Sequence, residues 1–210
     1  MNIEIKALTS ELIDEYFDFF DNRAFSDNSP YYPCYCNAFN MSKEQIDSEL
    51  FKKSEIYGGG AEGWKRALRE SAFEMVKTGI IQGYLAFDNG IAVGWCNSND
   101  RMNYYRVGEF ELDNVPSDEK PIDCDEKGII RSVVCFEIAP GFRGNGIASK
   151  LLERVCCDAK NSGYDYVEGY PVKTGSINNL AFTGPIRLYE KYGFIPFIDK
   201  GSTVIMRKKL

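Results

Sequence analysis

The stretch from Ile129 to Pro171 constrains the fold of this chain more than any other part of the sequence. It opens with an almost continuous apolar and β-branched run, Ile129 to Ala139, which is typical of a strand buried on both faces. Proline ends the run because it cannot continue a hydrogen-bonded ladder. The glycine-rich turn Gly141 to Gly146 then leads into an amphipathic helix that Gly163 ends, and a second strand-like run follows. This order predicts an α/β unit.

The turn before this helix is suited to binding an anion. A helix entered from a glycine-rich loop directs several unpaired N–H groups and its positive dipole end at one spot. The sequence leaves two alternatives for the phosphate-containing ligand. Gly144-Asn-Gly146-Ile-Ala-Ser149, with Glu168 near the end of the next strand, matches part of the dinucleotide fingerprint G-x-G-x-x-G, but the third glycine is missing. The competing pattern is Arg143-x-x-Gly146-x-Ala148.

This second pattern resembles the R/Q-x-x-G-x-G/A motif with which the GNAT superfamily of N-acetyltransferases holds the pyrophosphate of acetyl-CoA. Ile138-Ala-Pro140 resembles the V-x-P that ends the fourth strand of that family, and Leu188-Tyr-Glu-Lys-Tyr-Gly-Phe194 resembles its C-terminal L-Y-x-K-x-G-F. Three motifs in family order are more specific than one glycine turn. The resemblance implies an α/β (α+β) fold: a mixed, mostly antiparallel sheet of about seven strands flanked by helices.

The resemblance also implies a cofactor site, with acetyl-CoA as co-substrate and no metal. The fourth strand would splay from the fifth, so that its backbone N–H groups polarise the thioester, while the turn binds the pyrophosphate. The implied cofactor-binding residues are Phe136, Ile138, Arg143, Gly144, Asn145, Gly146, Ile147 and Ala148. One departure is that Phe182 and Pro185 stand where the family often carries N-x-x-A, which removes an asparagine that often contacts the pantetheine arm.

Three residues are candidates for catalysis. Tyr189 occupies the position where many family members place a tyrosine near the CoA sulfur, and a phenol can donate to developing negative charge; the alternative is a core tyrosine. Glu137 stands in an apolar strand, where a carboxylate must be paired or raised in pKa, and Glu168 ends the neighbouring strand. Either glutamate is a candidate base, and a structural salt bridge is the alternative for each.

Composition limits the number of domains and the kinds of partner that the chain can have. With 210 residues, 44% of them hydrophobic, the chain can bury one core, which predicts a single domain over residues 1–210. The formal charge of −6 argues against a nucleic-acid partner and is compatible with an amine substrate. Neither a membrane span nor a secretory pattern is apparent, so we expect no membrane partner and a cytoplasmic location. The family resemblance leaves a homodimer open.

The cysteines and the absence of histidine limit which catalytic mechanisms the chain can use. Because the chain has no histidine, it contains neither a Ser/His nor a Cys/His catalytic pair, and a zinc site is disfavoured. Cys34-x-Cys36 could be read as a nucleophile pair that forms an acetyl-enzyme. Without a histidine to activate the thiol, direct transfer ranks above this route.

Local signals indicate the other elements. Ser42-Lys-Glu-Gln45 has the pattern of a capping box, and Asp88-Asn-Gly90 is typical of a β-hairpin turn. Residues from about 23 to 79 form a long helical and aromatic region. The family resemblance implies that this region lies on the substrate side, and simple cover of the core is the alternative. Asn97 to Lys127 is polar and is predicted to be an irregular loop.

Together these patterns predict an N-acetyltransferase that transfers an acetyl group directly from acetyl-CoA to a primary amine of a small molecule or of an aminoacyl or peptide acceptor. A catalytically inactive acyl-CoA-binding module, with a regulatory or interaction role, is the alternative. A nucleotide-binding oxidoreductase would need repeated parallel βαβ units, and the sequence supplies one.

Overall fold

Seven strands form one sheet in the computed structural model of the chain, which describes residues 1–29, 32–105, 128–173 and 182–210. In chain order they are β1 (Ile3–Ala7), β2 (Gly83–Asp88), β3 (Ile91–Asp100), β4 (Ile130–Ile138), β5 (Tyr166–Gly169), β6 (Ile195–Lys200) and β7 (Thr203–Lys209). Their order across the sheet is β1-β2-β3-β4-β5-β7-β6. Neighbours β4 and β5 are parallel, and the other neighbouring pairs are antiparallel. The predicted mixed, mostly antiparallel sheet is confirmed.

Helices flank both faces of this sheet. They are α1 (Ile13–Asn22), α2 (Lys43–Gln45), which continues through a π-helical turn (Ile46–Leu50) into α3 (Phe51–Ile56), α4 (Gly60–Lys77), α5 (Ile147–Asn161) and α6 (Ile186–Lys191). In the described part of the chain, no helix combines the length and the apolar character that a membrane span requires.

Two hydrophobic cores lie on the two faces. The core under α1 and α4 is aromatic, with Tyr16 and Trp95 fully buried in it. The core under α5 is mainly aliphatic. Cys135 and Ala139 of the β4 segment belong to the aromatic core, and side chains alternate along a strand. Glu137 therefore points to the α1 side of the sheet.

Several local predictions are confirmed. The Ser42 side chain accepts a hydrogen bond from the Gln45 N–H, and the Gln45 side chain accepts one from the Ser42 N–H, which completes the capping box at the start of α2. Asn89 and Gly90 both have positive φ, as the tight turn between β2 and β3 requires. Gly163 follows the end of α5, also with positive φ.

The predicted loop from Asn97 to Lys127 is wrong at its start, because β3 continues to Asp100. The polar side chains in this part of β3 are buried and hydrogen-bonded to other elements. The Asn97 side chain donates to the carbonyl of Cys36 and accepts from the Tyr104 hydroxyl, while Asn99 donates to the carbonyl of Ile80. Such partners offset the cost of burying polar groups, so polarity did not indicate a loop here. Residues 106–127 of that predicted loop lie outside the described residues.

A close contact between β5 and α6 fixes the position of Tyr189. A Cβ atom added to Gly169, the last residue of β5, would lie 2.0 Å from Cε1 and 2.4 Å from Cζ of the Tyr189 ring. The ring therefore occupies the space that any side chain at position 169 would need. Tyr189 itself is fully buried.

The substitution Gly169→Ala should destabilise the protein by roughly 1–3 kcal/mol, because the methyl group overpacks the Tyr189 ring. For a chain of this size, that corresponds to a fall of about 2–12 °C in Tm. Gly141→Ala is the matched control, since a Cβ there meets nothing within 4 Å. Equal Tm values for the two variants in thermal unfolding would contradict the close contact.

Candidate active site

An opening between β4 and β5 lies at the centre of the sheet. The two strands pair from Ile130–Tyr166 to Val133–Gly169, whereas β4 continues beside β3 as far as Ile138. The chain after β5 follows β7 instead. The Val204 N–H donates to the Pro171 carbonyl, and the Lys173 N–H donates to the Ser202 carbonyl. Among the described residues, none forms a partner strand for the last residues of β4 on the β5 side.

Backbone groups of β4 point into this opening. The Ala139 N–H donates to the Val93 carbonyl at 3.0 Å, on the β3 side. Because backbone direction alternates along a strand, Phe136 and Ile138 direct their N–H and C=O groups away from β3. The Ile138 carbonyl accepts a hydrogen bond from Arg143 Nε at 2.9 Å, which agrees with this direction. Donors are therefore available at the position predicted from the sequence.

The glycine turn lies directly after the opening and begins α5. Gly144 and Gly146 have φ of +80° and +77°, and a Cβ at either position would meet nothing within 4 Å. No side chain caps the first turn of α5. Its first N–H groups, from Ile147 and Ala148 onward, have no partner within the helix. The turn thus combines open space, unpaired donors and the positive end of the helix dipole, which suits a phosphate group.

The Arg143 side chain turns back toward the protein. Besides the Nε bond to β4, its Nη1 lies 2.5 Å from Oδ2 of Asp27, and its Nη2 lies 3.3 Å from Oε1 of Glu137. The side-chain amide of Asn145 donates to the carbonyls of Phe142 and Arg143 and so braces the turn. In this arrangement the turn offers a ligand backbone N–H groups rather than the guanidinium.

Tyr189 lies at the point where β4 and β5 separate, against Gly169 and 6.4 Å from the ring of Phe136 between centroids. Its hydroxyl donates to the carbonyl of Thr183 at 2.7 Å. Burial raises the pKa of the Tyr189 phenol well above its ordinary value. The phenol is therefore protonated at neutral pH, and its hydrogen bond is directed to Thr183.

The two candidate glutamates have different environments. Glu137 is 8% exposed, and Arg143 is its ion-pair partner among the described residues. Burial raises the pKa of its carboxyl to about 7, against the opposing effect of the Arg143 charge. A carboxyl with this pKa exchanges protons readily near neutral pH.

Glu168 is fully buried and held on several sides. Arg207 approaches one carboxylate oxygen with Nε at 2.8 Å and Nη2 at 2.7 Å, and Arg101 lies 3.7 Å from the other. The Tyr170 hydroxyl donates to it at 2.9 Å. In the sheet register Glu168 lies beside Ser132, which places it roughly 16 Å along β4 from Glu137. The structure does not bring the two glutamates together.

Three thiols meet on the same side of β4 as Glu137. Cys36 Sγ lies 3.5 Å from Cys135 Sγ, and the Cys36 N–H donates to Cys34 Sγ. The hydrogen bond with Cys36 and burial raise the pKa of the Cys34 thiol well above its ordinary value. The pKa of Cys36 is likewise raised, by its contact with Cys135 and by burial. A neutral buried thiol is a weak nucleophile. Within the described ranges, no group of side chains could hold a metal ion.

Sequence reasoning missed Asp27. It lies in the irregular stretch after α1, where no periodic pattern marks it, and it is 116 positions from its partner Arg143. The sequence carries no signal for this contact, because only the folded chain brings the two residues together.

A separate polar cavity of about 630 Å³ lies between the ends of α4 and α5, with Lys77, Arg131 and Asp158 in its wall. It contains none of the predicted site residues. Its lining includes the end of α5, whereas the glycine turn lies at the start of that helix. The opening between β4 and β5, rather than this cavity, carries the candidate chemistry.

Solved structures of acetyltransferases resemble this fold. The PaiA N-acetyltransferase from Thermoplasma acidophilum, in complex with coenzyme A, is 17% identical over 100% of both chains, with a TM-score of 0.52. The GNAT domain of S. lividans PAT is 13% identical, with a TM-score of 0.52 over 99% of this chain and 90% of that chain. A chain of the NatC complex bound to Gag peptide and CoA is 15% identical, with a TM-score of 0.51 over 100% and 99% of the two chains.

Identities this low support similarity of fold alone. Among curated protein sequences, none matches the chain. The family profile described as an acetyltransferase (GNAT) domain matches residues 82–196, which is more than half of the chain and includes β4, the glycine turn and Tyr189. The chain therefore belongs to the GNAT acetyltransferase family.

Proposed function

We propose that this protein transfers an acetyl group from acetyl-CoA directly to a primary amine of a small molecule or of an aminoacyl or peptide acceptor. The observation that carries the proposal is the opening between β4 and β5, which combines the glycine turn, the Tyr189 phenol and backbone donors that have no partner strand among the described residues. These are the groups that thioester transfer requires: an anion site, donors for an oxyanion and a proton for the leaving thiolate.

Backbone groups would hold the co-substrate. The N–H groups of Gly144, Gly146, Ile147 and Ala148 surround the open space at the turn and suit the diphosphate of acetyl-CoA. Arg143 adds positive charge nearby, although its nitrogens already have partners in the protein. The N–H groups of Phe136 and Ile138 face the opening, where they would bind the thioester arm and polarise its carbonyl.

The reaction then needs two proton transfers. The acceptor amine attacks in its neutral form: its nitrogen forms a bond to the carbonyl carbon and loses a proton to Glu137. The negative charge on the carbonyl oxygen is stabilised by the β4 N–H groups. As the carbon–sulfur bond breaks, the Tyr189 hydroxyl rotates away from the Thr183 carbonyl and donates its proton to the thiolate. The phenolate then regains a proton from solvent, and Glu137 releases to solvent the proton that it took from the amine.

Glu137 is a better candidate base than Glu168. Its carboxyl has one arginine partner at 3.3 Å and a pKa of about 7, so it can take up a proton near neutral pH. Glu168 is fixed by Arg207, Arg101 and Tyr170 and lies away from the opening. We assign Glu168 a structural role.

Residues from about 23 to 79 would form the acceptor side of a single domain that spans residues 1–210. They lie on the face of the sheet to which Glu137 points, and many of their aromatic side chains pack into the core there. The complexes of PaiA with coenzyme A and of NatC with Gag peptide and CoA support a coenzyme A site, and the NatC complex supports a peptide acceptor as one class to test.

The substitution Gly146→Asp should abolish binding of acetyl-CoA, because a carboxylate at the start of α5 repels the diphosphate. Isothermal titration with acetyl-CoA, and with NADH in parallel, measures this. Gly163→Asp is the matched control: it makes the same change at a glycine of similar φ, +79°, after the end of α5. Equal loss of binding in both variants, or binding of NADH alone, would contradict the proposed site.

The substitution Tyr189→Phe should lower kcat by about 100-fold, because it removes the proton donor for the thiolate, and should change the Kd of acetyl-CoA by less than about threefold. Turnover is followed by thiol release with an acceptor found in a library of primary amines. Tyr16→Phe is the control, since Tyr16 is also fully buried and donates to a backbone carbonyl, that of Tyr35. If acetyl-CoA binds but no amine is acetylated, the chain is a binding module instead.

The rate should depend on the ionisation of Glu137. The base must be deprotonated, so kcat/KM should rise with pH up to about 7 and then level off. Glu137→Gln should remove this limb of the profile and lower the plateau by about 100-fold. Glu168→Gln should reduce stability but leave the limb in place. A limb that persists in Glu137→Gln and disappears in folded Glu168→Gln would reverse the two assignments.

A further inference from the structure

A single guanidinium lies between two carboxylates at the edge of the candidate site. Arg143 Nη1 is 2.5 Å from Oδ2 of Asp27, and Arg143 Nη2 is 3.3 Å from Oε1 of Glu137. Asp27 belongs to the segment after α1, Glu137 to β4 and Arg143 to the glycine turn. The contact therefore joins the acceptor side, the candidate base and the cofactor turn.

The three nitrogens of the Arg143 guanidinium contact three different acceptors, and Glu137 receives the longest contact. An arginine with one carboxylate partner commonly forms two parallel hydrogen bonds to it. Here Nε is engaged by the Ile138 carbonyl and Nη1 by Asp27, so Nη2 is left for Glu137, at the long distance of 3.3 Å. The close contact with Asp27 limits how far the guanidinium can turn toward Glu137.

Other described groups near Glu137 carry little charge. Two thiols interact electrostatically with Glu137: Cys135 on the same strand, and Cys34 from the segment between α1 and α2. The pKa values of both thiols are raised, so both stay neutral around pH 7. Among the described residues, Arg143 and Asp27 are thus the charged groups that act on Glu137.

We propose that Asp27 is a positioning residue for the base: it holds one end of the Arg143 guanidinium and so keeps the Glu137 carboxylate from being fully paired. The proposal rests on the role assigned to Glu137 above. It adds a residue that acts through Arg143 and touches neither the acetyl group nor the amine.

The physical consequence concerns how strongly Glu137 holds a proton. The Asp27 charge raises the pKa of Glu137, and Arg143 lowers it. In turn, the hydrogen bond from Arg143 lowers the pKa of Asp27, so Asp27 stays ionised at neutral pH. Without the Asp27 charge, the guanidinium is free to pair fully with Glu137, and the carboxylate becomes a weaker base.

The test measures the ionisation of Glu137 directly and needs no acceptor. Protein labelled with carbon-13 at the glutamate carboxyls is titrated by NMR, and the Glu137 signal is identified by its absence in Glu137→Gln. Asp27→Asn should lower the pKa of Glu137 by about half a unit or more. The matched control is Asp18→Asn, because Asp18 also pairs with an arginine, Arg23, at 2.5 Å but has no contact with Arg143. It should leave the Glu137 titration unchanged.

An unchanged or raised pKa of Glu137 in folded Asp27→Asn would overturn the proposal, and so would an equal shift in Asp18→Asn. Asp27→Glu retains the charge and should stay closer to the wild-type pKa than Asp27→Asn does. If Asp27→Asn does not fold, Asp27→Ser takes its place under the same criteria. Where an acceptor is available, the pH limb of kcat/KM should shift to lower pH by the same amount as the NMR titration. Failure of acetyl-CoA to bind would refute the proposed function while leaving the NMR result valid.

Discussion

The separation of β4 from β5 is the constraint on which the candidate site depends. Beyond Gly169 the chain remains with β7, and Pro171 has no N–H to offer a neighbouring strand. In the part of the chain that the structure describes, the end of β4 consequently has backbone donors without a partner in the sheet. Unpaired backbone groups are costly when they are buried, so this opening is stable only where solvent or a ligand reaches it. The path of the chain therefore accounts for a candidate binding site at the centre of the sheet.

Close packing around the same opening requires glycine at two positions, Gly169 and Gly94. Gly169 has no side chain because the Tyr189 ring fills that space, and Gly94 has none because Ile138 and Ile147 pack against it. A Cβ at Gly94 would lie 2.9 Å from Ile138 Cδ1 and 3.1 Å from Ile147 Cγ2. These contacts fix the start of α5 against β3 and the phenol against β5. The positions of the glycine turn and of Tyr189, the candidate proton donor, are therefore set by core packing rather than by loops.

Sequence patterns predicted those parts of the structure that depend on neighbours close in the chain. The α5 helix followed from its period and its flanking glycines, and the hairpin followed from Asn89-Gly90. The patterns failed where partners come from distant segments. Polar Asn97 and Asn99 lie inside β3 because Cys36 and Ile80 accept their hydrogen bonds, and no local pattern reveals such partners. The contact between Asp27 and Arg143 escaped prediction for the same reason.

Glu137 and Glu168 illustrate how environment, rather than residue type, determines chemical role. Both are buried, and the sequence alone gave them equal standing as candidate bases. Glu168 meets two arginines and a tyrosine hydroxyl, which fix its position. Glu137 meets one arginine, shared with Asp27, so burial dominates and its pKa rises to about 7. A carboxylate that must exchange a proton needs incomplete pairing, and here the incomplete pairing comes from a competitor for the same guanidinium.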